Sequence, residues 1–361
     1  MNESKYRTLV ETLKRNILSG KYGAQTPLPS VRALIGRFGY SKTTVQRALD
    51  ELCYQGLVFR RQGSGTFLTC AAISRKIGLI VPDHGRSEFF PAIAREVSRL
   101  AQESNYTLCF GEITAANGSG RVRQLENLVR DFVDQRVSGV VFQPIDYIRN
   151  GDVVNLRVLR AFDEACIPVV LCDYDVVEAP SRSAYDVVGI NNVEAGTMMA
   201  EHLVGAGVRK FAFHLLPFAP RSQRDYVRGA RLAAMAKGCA ERVLVSDPDD
   251  TGALRRFLRR GRPDVVVCGN DSSAARLNKT LARIGLVVPR DILLTGVNDL
   301  QIASLLTPSL TTIHLPCEQI AAAAFERLLA RIARPGLPPV ETFLPVRLVS
   351  RESTKRISKG G

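Results

Sequence analysis

From residue 76 onward the chain alternates short apolar runs with amphipathic segments, and few folds accept that pattern. The apolar runs lie at 77–81, 107–111, 139–143, 168–172, 186–190, 210–214, 243–245, 264–268 and 292–296. Helical patterns fall near 88–104, 120–136, 152–165, 194–206, 223–237, 251–260, 271–284 and 317–332. Strands that are apolar throughout must be covered on both faces, and helical connectors between them give parallel sheets. So many strands exceed one ordinary sheet. The expectation is an α/β body of two doubly wound lobes, with a ligand cleft at the carboxyl ends of the strands.

Residues 1–75 are different in kind. They carry 12 Lys and Arg against 4 Asp and Glu, in a chain with 49 and 35 overall. Tyr6, Leu9, Val10, Leu13 and Ile17 share one helical face, and Gly20 ends that pattern. Val31, Leu34, Ile35 and Phe38 mark a second helix, stopped by Gly39. Ser41 is a suitable N-cap for a third, with Val45, Ala48, Leu49 and Leu52 inward and Gly56 beyond its end. Two β-prone runs then flank Gly63-Ser64-Gly65, a hairpin signal. Three short helices and a hairpin make a winged helix-turn-helix (α+β). The groove side of the third helix would show Lys42, Thr43, Thr44, Gln46 and Arg47, with Arg60, Arg61 and Gln62 on the wing. A basic surface can serve solubility alone, and some winged helices bind proteins. The local charge favours nucleic acid.

The order Leu28-Pro29-Ser30-Val31-Arg32, Ser41-Lys42-Thr43-Thr44-Val45, Gly56-Leu57-Val58 and Arg61-Gln62-Gly63-Ser64-Gly65-Thr66-Phe67 resembles the GntR family DNA-binding domain over residues 5–69. The resemblance implies that Arg32 contacts DNA, as do Ser41, Lys42, Thr43 and Thr44 at the start of the recognition helix. It places Gln62 and Gly63 at the wing tip in the minor groove. Gln46 stands where that family often has Arg, and Arg47 follows it.

The body carries no GxGxxG after a strand, no phosphate-binding GxxxxGK[ST], no GxSxG and no HExxH. The eight cysteines show no CxxC spacing and sit mostly in apolar runs, as free buried thiols do. No cofactor and no metal are expected. No run approaches the about 18 apolar residues of a membrane span, and no signal-peptide pattern opens the chain. A cytoplasmic protein is therefore expected.

Ile77-Gly78-Leu79-Ile80-Val81-Pro82, Ile167-Pro168-Val169-Val170-Leu171-Cys172-Asp173, Gly296-Val297-Asn298-Asp299 and Thr307-Pro308-Ser309-Leu310-Thr311-Thr312-Ile313 follow one another as in the LacI/GalR effector domain, itself similar to periplasmic sugar-binding proteins. The likeness covers about 76–354. A GntR-like head on such a body is the arrangement of AraR-type arabinose-responsive repressors. The resemblance implies a ligand held by Asp83, Phe90, Asp173, Tyr174, Asn191, Asn192, Asn270 and Asn298. Arg224 substitutes for a family Arg whose place, three residues before Gly229, is taken by Tyr226. Asp and Asn suit vicinal hydroxyls, and Phe or Tyr suits the apolar face of a sugar ring. A nucleobase or nucleoside suits the same set. A sugar-acting enzyme or binding protein with a basic head is the reading from another class, and it lacks a catalytic motif here.

The expected organisation is a DNA-binding head over 1–69, a linker over 70–75, a ligand-binding and dimerising body over 76–351 and a flexible tail over 352–361. The expected partners are double-stranded operator DNA, a small-molecule effector and a second copy of the chain, without a membrane.

Overall fold

The computed structural model describes residues 2–18, 22, 27–69, 75–82, 89–115 and 117–355. Residues 70–74 of the proposed linker over 70–75, Asp83 and the end of the chain from 356 lie outside them.

The head consists of α1 (Asn2–Leu18), α2 (Val31–Phe38), α3 (Lys42–Tyr54), and the antiparallel pair β1 (Val58–Arg61) and β2 (Gly65–Leu68). Caps set its helix ends. The hydroxyls of Ser30 and Ser41 accept from Ala33 N and Thr44 N, both at 3.2 Å. Gly39 closes α2 in the left-handed conformation, with φ +66°. Leu9, Leu13, Leu34, Val45, Leu49 and Leu52 meet in a core of their own, to which β1 and β2 add Val58 and Leu68. The backbone N–H of Leu28 donates to Thr66 O (2.6 Å), tying the entry to α2 onto the wing.

The first lobe of the body contains β3 (Lys76–Pro82), α4 (Phe89–Glu103), β4 (Thr107–Ile113), α5 (Gly118–Asp134), β5 (Gly139–Phe142), α6 (Gly151–Glu164), β6 (Val169–Asp173) and β7 (Asp186–Ile190). The chain then crosses into α7 (Asn192–Gly205) and the second lobe. That lobe contains β8 (Lys210–Leu215), α8 (Arg221–Ala236), β9 (Ala240–Val245), α9 (Thr251–Arg259), β10 (Val265–Cys268), α10 (Asp271–Arg283), β11 (Leu293–Thr295) and α11 (Gln301–Leu305). After β12 (Thr312–His314) it returns through α12 (Cys317–Ala333) and β13 (Glu341–Leu344), then crosses a third time to β14 (Arg347–Val349).

Both main sheets are parallel, in the orders β13-β7-β6-β5-β3-β4 and β11-β10-β8-β9. Alternate residues of one strand feed opposite cores. Ile77, Leu79 and Val81 lie in one cluster while Ile80 lies in another, and Phe211 and Phe213 part from Ala212 in the same way. This two-sided burial is why the strands read as continuous apolar runs.

Two expectations are corrected. The segments at 312–314, 341–344 and 347–349 are strands, although their mixed polar sequences carry little strand signal. The first and last of these, 312–314 and 347–349, lie on crossovers between the lobes, while 341–344 is the edge strand of the first-lobe sheet, beside β7. The flexible tail does not begin at 352. Glu352–Thr354 form a 3-10 turn with Ser353 and Thr354 buried. The Ser353 hydroxyl donates to Leu294 O (2.6 Å) and accepts from Thr311 N (2.8 Å), while Glu352 accepts from Ser309 N (2.9 Å). Polar residues here satisfy buried backbone groups rather than solvent.

Candidate functional site

A cavity of about 790 Å³ lies between the lobes. Its walls are the carboxyl ends of parallel strands and the first turns of the helices that follow, where the topology leaves backbone groups and side chains free to meet a ligand. Phe90, Asp173, Asn192, Asn270 and Asn298 of the expected set line it. Asn298 is held at φ +108° and its N–H donates to Ile313 O (2.9 Å), so its backbone is fixed by the strand that crosses between the lobes. The Asn270 carbonyl caps α10 by accepting from Ser273 N (2.7 Å).

Asp173 ends β6 at φ +84°. It accepts from Gln143 Nε2 (3.2 Å) in its own lobe and from the Ser222 hydroxyl of the other. Burial nevertheless pushes its carboxyl up to about 6, because desolvation outweighs those two donors.

Three expected residues fall elsewhere. Tyr174 is the next residue after Asp173, so its side chain leaves on the opposite face, where its hydroxyl donates to Pro144 O (3.3 Å). Asn191 is exposed and caps α7, accepting from Glu194 N (3.2 Å). On α8 the cavity is lined by Ser222, Gln223 and Tyr226, which leaves Arg224 about 100° round the helix from Gln223. Its guanidinium donates to Ala219 O (3.3 Å). Asp83 lies outside the described residues.

The cavity also contains residues that were not anticipated. Arg121 of α5 and Asp146 of the loop after β5 stand 3.7 Å apart, each with only 8% of its side chain exposed. Arg276 of α10 donates to Asp247 and Asp249, both at 2.7 Å. Hydrogen bonding keeps the Asp247 carboxyl below its ordinary range, chiefly through the Asp249 backbone and then Arg276. Asp146 and Tyr147 were legible by the rule that pointed to Asp173, since Gln143–Tyr147 follows β5 directly. Arg121 and Arg276 carried no local signal: each sits inside a helix, and only the closing of the lobes brings them to one space.

Tyr147 joins the lobes. Gln223 Nε2 donates to its hydroxyl (2.7 Å), and its backbone N–H donates to Phe218 O (3.1 Å). Arg221 adds a bond to Asp175 O (3.1 Å) and lies 3.5 Å from Asp152.

The head presents a second surface. Arg32, Ser41, Lys42, Thr43, Gln46, Arg47, Arg61, Gln62 and Gly63 are exposed along α2, the start of α3 and the wing. Thr44 is buried instead, with its hydroxyl 2.8 Å from that of Ser41, so it completes the helix cap rather than facing a groove. Arg47 lies over the Tyr6 ring (4.5 Å) and Arg61 over Phe67 (5.7 Å), which fixes their guanidiniums on aromatic supports. Arg60 pairs with Asp50 at 2.7 Å.

Comparison with known proteins bears on both surfaces. Residues 5–68 match the bacterial regulatory proteins of the gntR family, and residues 200–354 match the periplasmic binding protein-like domain. The arabinose metabolism transcriptional repressor of Geobacillus stearothermophilus is 25% identical over 372 residues, covering 98% of each chain. The HTH-type transcriptional repressor PurR of Vibrio vulnificus is 26% identical over 321 residues, covering 87% of this chain and 90% of that one. In fold, the body is similar to a LacI family transcriptional regulator from Enterococcus faecium solved with bound ribose, at a TM-score of 0.64 and 21% identity over 78% of this chain and all of that one.

Proposed function

A gntR-family DNA-binding domain carried on a periplasmic-binding-protein-like body makes this chain a DNA-binding transcription regulator with an effector-binding domain, and we propose that it is a cytoplasmic repressor released by a neutral sugar. The observation that carries this reading is the charge balance of the interlobe cavity. Arg121 and Arg276 on its wall are already ion-paired with carboxylates. A phosphate would have to compete with those pairs. A neutral polyhydroxylated ligand has only to exchange hydrogen bonds with Asp173, Asn192, Asn270, Gln223 and Asn298, while Phe90 offers a ring. The similarity to a repressor of arabinose metabolism along almost the whole chain points the same way.

The operator is read by the exposed first turn of α3, where Lys42 and Thr43 reach base edges and phosphates, with Arg32 and the wing fixing the register. Two heads on one operator discriminate far better than one. A homodimer fits the apolar face left open on the second lobe. Leu232 and Met235 of α8 and Val245 of the edge strand β9 are 57%, 55% and 57% exposed.

Thermal unfolding across L-arabinose, D-ribose, their phosphates and free nucleobases tests the ligand class. A neutral pentose at a hundred times its Kd is expected to stabilise the native state by about 2.7 kcal/mol, and Asn298→Ala is expected to abolish that shift. Stabilisation by a nucleobase or a sugar phosphate alone would overturn the sugar reading.

A further inference from the structure

Gly39 and Gly56 play the same local part in the head. Each follows a helix and holds a left-handed φ, +66° and +68°. Their surroundings differ. A Cβ at Gly39 would meet none of the described residues within 4 Å, whereas one at Gly56 would stand 2.3 Å from Ile332 O and 3.0 Å from Pro335 Cδ. Ile332 belongs to the last turn of α12. Glycine at 56 is thus required twice, once by its own backbone and once by the body lying against it. A cavity of about 490 Å³ adjoins this contact, walled by Cys53 and Phe59 of the head and by Cys166 and Tyr185 of the body. Lys42 and Gln46, toward the other end of α3, remain exposed. The head is therefore seated by the end remote from its DNA-reading turn.

The seat is one end of a helix whose other end is at the effector cleft. Leu315 lines the cleft cavity, and α12 starts at Cys317, where the chain re-enters the first lobe. The helix is anchored along its length, with Ile320, Ala324, Phe325, Leu328 and Ile332 buried in the principal core of the body. A packed helix shifts as one piece and does not absorb displacement.

We propose that the C-terminal end of α12 is the docking seat of the DNA-binding head, and that α12 carries lobe movement from the cleft to that seat. The transmitting role rests on the reading of the body as the effector-binding unit; the seat itself does not.

The cysteines on opposite walls of the junction cavity supply the assay. In the full-length protein without effector, a short bismaleimide should bridge Cys53 to Cys166, as read by peptide mapping, and Cys53→Ser should lose that product. Gly56→Asn tolerates the left-handed φ yet drives a Cβ toward Ile332 O. It should lower the yield about fivefold or more, while Gly39→Asn leaves it unchanged. Pro335→Arg, at an exposed position of the body, repeats the test without touching the fold of the head. Tyr147→Phe removes the interlobe hydrogen bond to Gln223 and should change the bridging rate about fivefold. No bridge in the wild type, or equal yields in the wild type, Gly56→Asn and Pro335→Arg, overturns the seat. An unchanged rate in Tyr147→Phe overturns transmission. Failure of the sugar reading appears separately, as the absence of any pentose-induced thermal shift.

Discussion

Gly229→Ala should destabilise the second lobe and loosen the effector cleft together. Helices α7 and α8 cross at two glycines. A Cβ at Gly229 would sit 2.0 Å from Val193 O, and one at Gly196 would sit 1.9 Å from Tyr226 O. An ordinary carbon–oxygen contact is about 3.3 Å or longer, so α8 must retreat by roughly 1 Å. The obstructing atoms are backbone and cannot rotate aside. Overpacking of this kind costs about 1–3 kcal/mol, and a backbone clash belongs at the upper end. Alanine recovers about 1 kcal/mol of helix propensity. The net loss is about 2 kcal/mol, or a midpoint lower by roughly 4–8 °C for a unit of this size. Because α8 also carries Ser222, Gln223 and Tyr226 into the cavity, effector affinity should fall in the same variant. Gly205→Ala is the control. It lies on α7 with none of the described residues within 4 Å of its added Cβ, and should leave the midpoint unchanged or raise it. Scanning calorimetry and titration calorimetry read the two effects. A Gly229→Ala protein that melts at or above the wild-type temperature refutes the close crossing.

Two further expectations concern the two surfaces. Burial holds the Asp173 carboxyl protonated up to about 6, above its ordinary range, so its contribution to stability is complete in acid and lost as pH rises through that value. Ligand hydroxyls donate to the ionised form. Effector affinity should therefore weaken as pH falls from 7.5 to 5, by up to about tenfold per unit by which binding lowers that pKa. Asp173→Asn should flatten the profile, and a flat wild-type titration would count against this role. On the head, Lys42→Ala with Thr43→Ala should lose about 1–3 kcal/mol for each base contact removed and reduce the salt slope by about one. Footprinting that shows an unchanged protected site would remove α3 as the reading helix.

The body was legible wherever local pattern and tertiary role agree. Val140–Phe142 and Val265–Cys268 are apolar because both sheet faces are covered, and their runs announce it. The crossovers were not legible, because Thr312–His314 and Arg347–Val349 are three residues each, mix polar with apolar, and pair with each other outside the two main sheets. Their strand character comes from where the chain must pass. In the cleft, the family resemblance pointed to Asp173 and Asn298, and both line the cavity. It overreached at Tyr174, where the alternation of side chains along a strand turns the next residue to the opposite face, and at Asn191, whose side-chain carbonyl is taken by the helix cap. His214 is buried against Ser246 O at 3.2 Å, and His314 lies 2.9 Å from Asp299. Arg121 and Arg276 depend on contacts between segments remote in sequence, which no local motif encodes.

Regulation through the cleft has one direct test. Operator fragments selected from genomic DNA by the full-length protein are titrated by fluorescence anisotropy, with and without the pentose that raises its midpoint. Saturating sugar should weaken operator affinity by about fivefold or more, and Asn298→Ala should bind the operator normally but ignore the sugar. Operator affinity that stays the same at saturating sugar would contradict coupling between the cleft and the head.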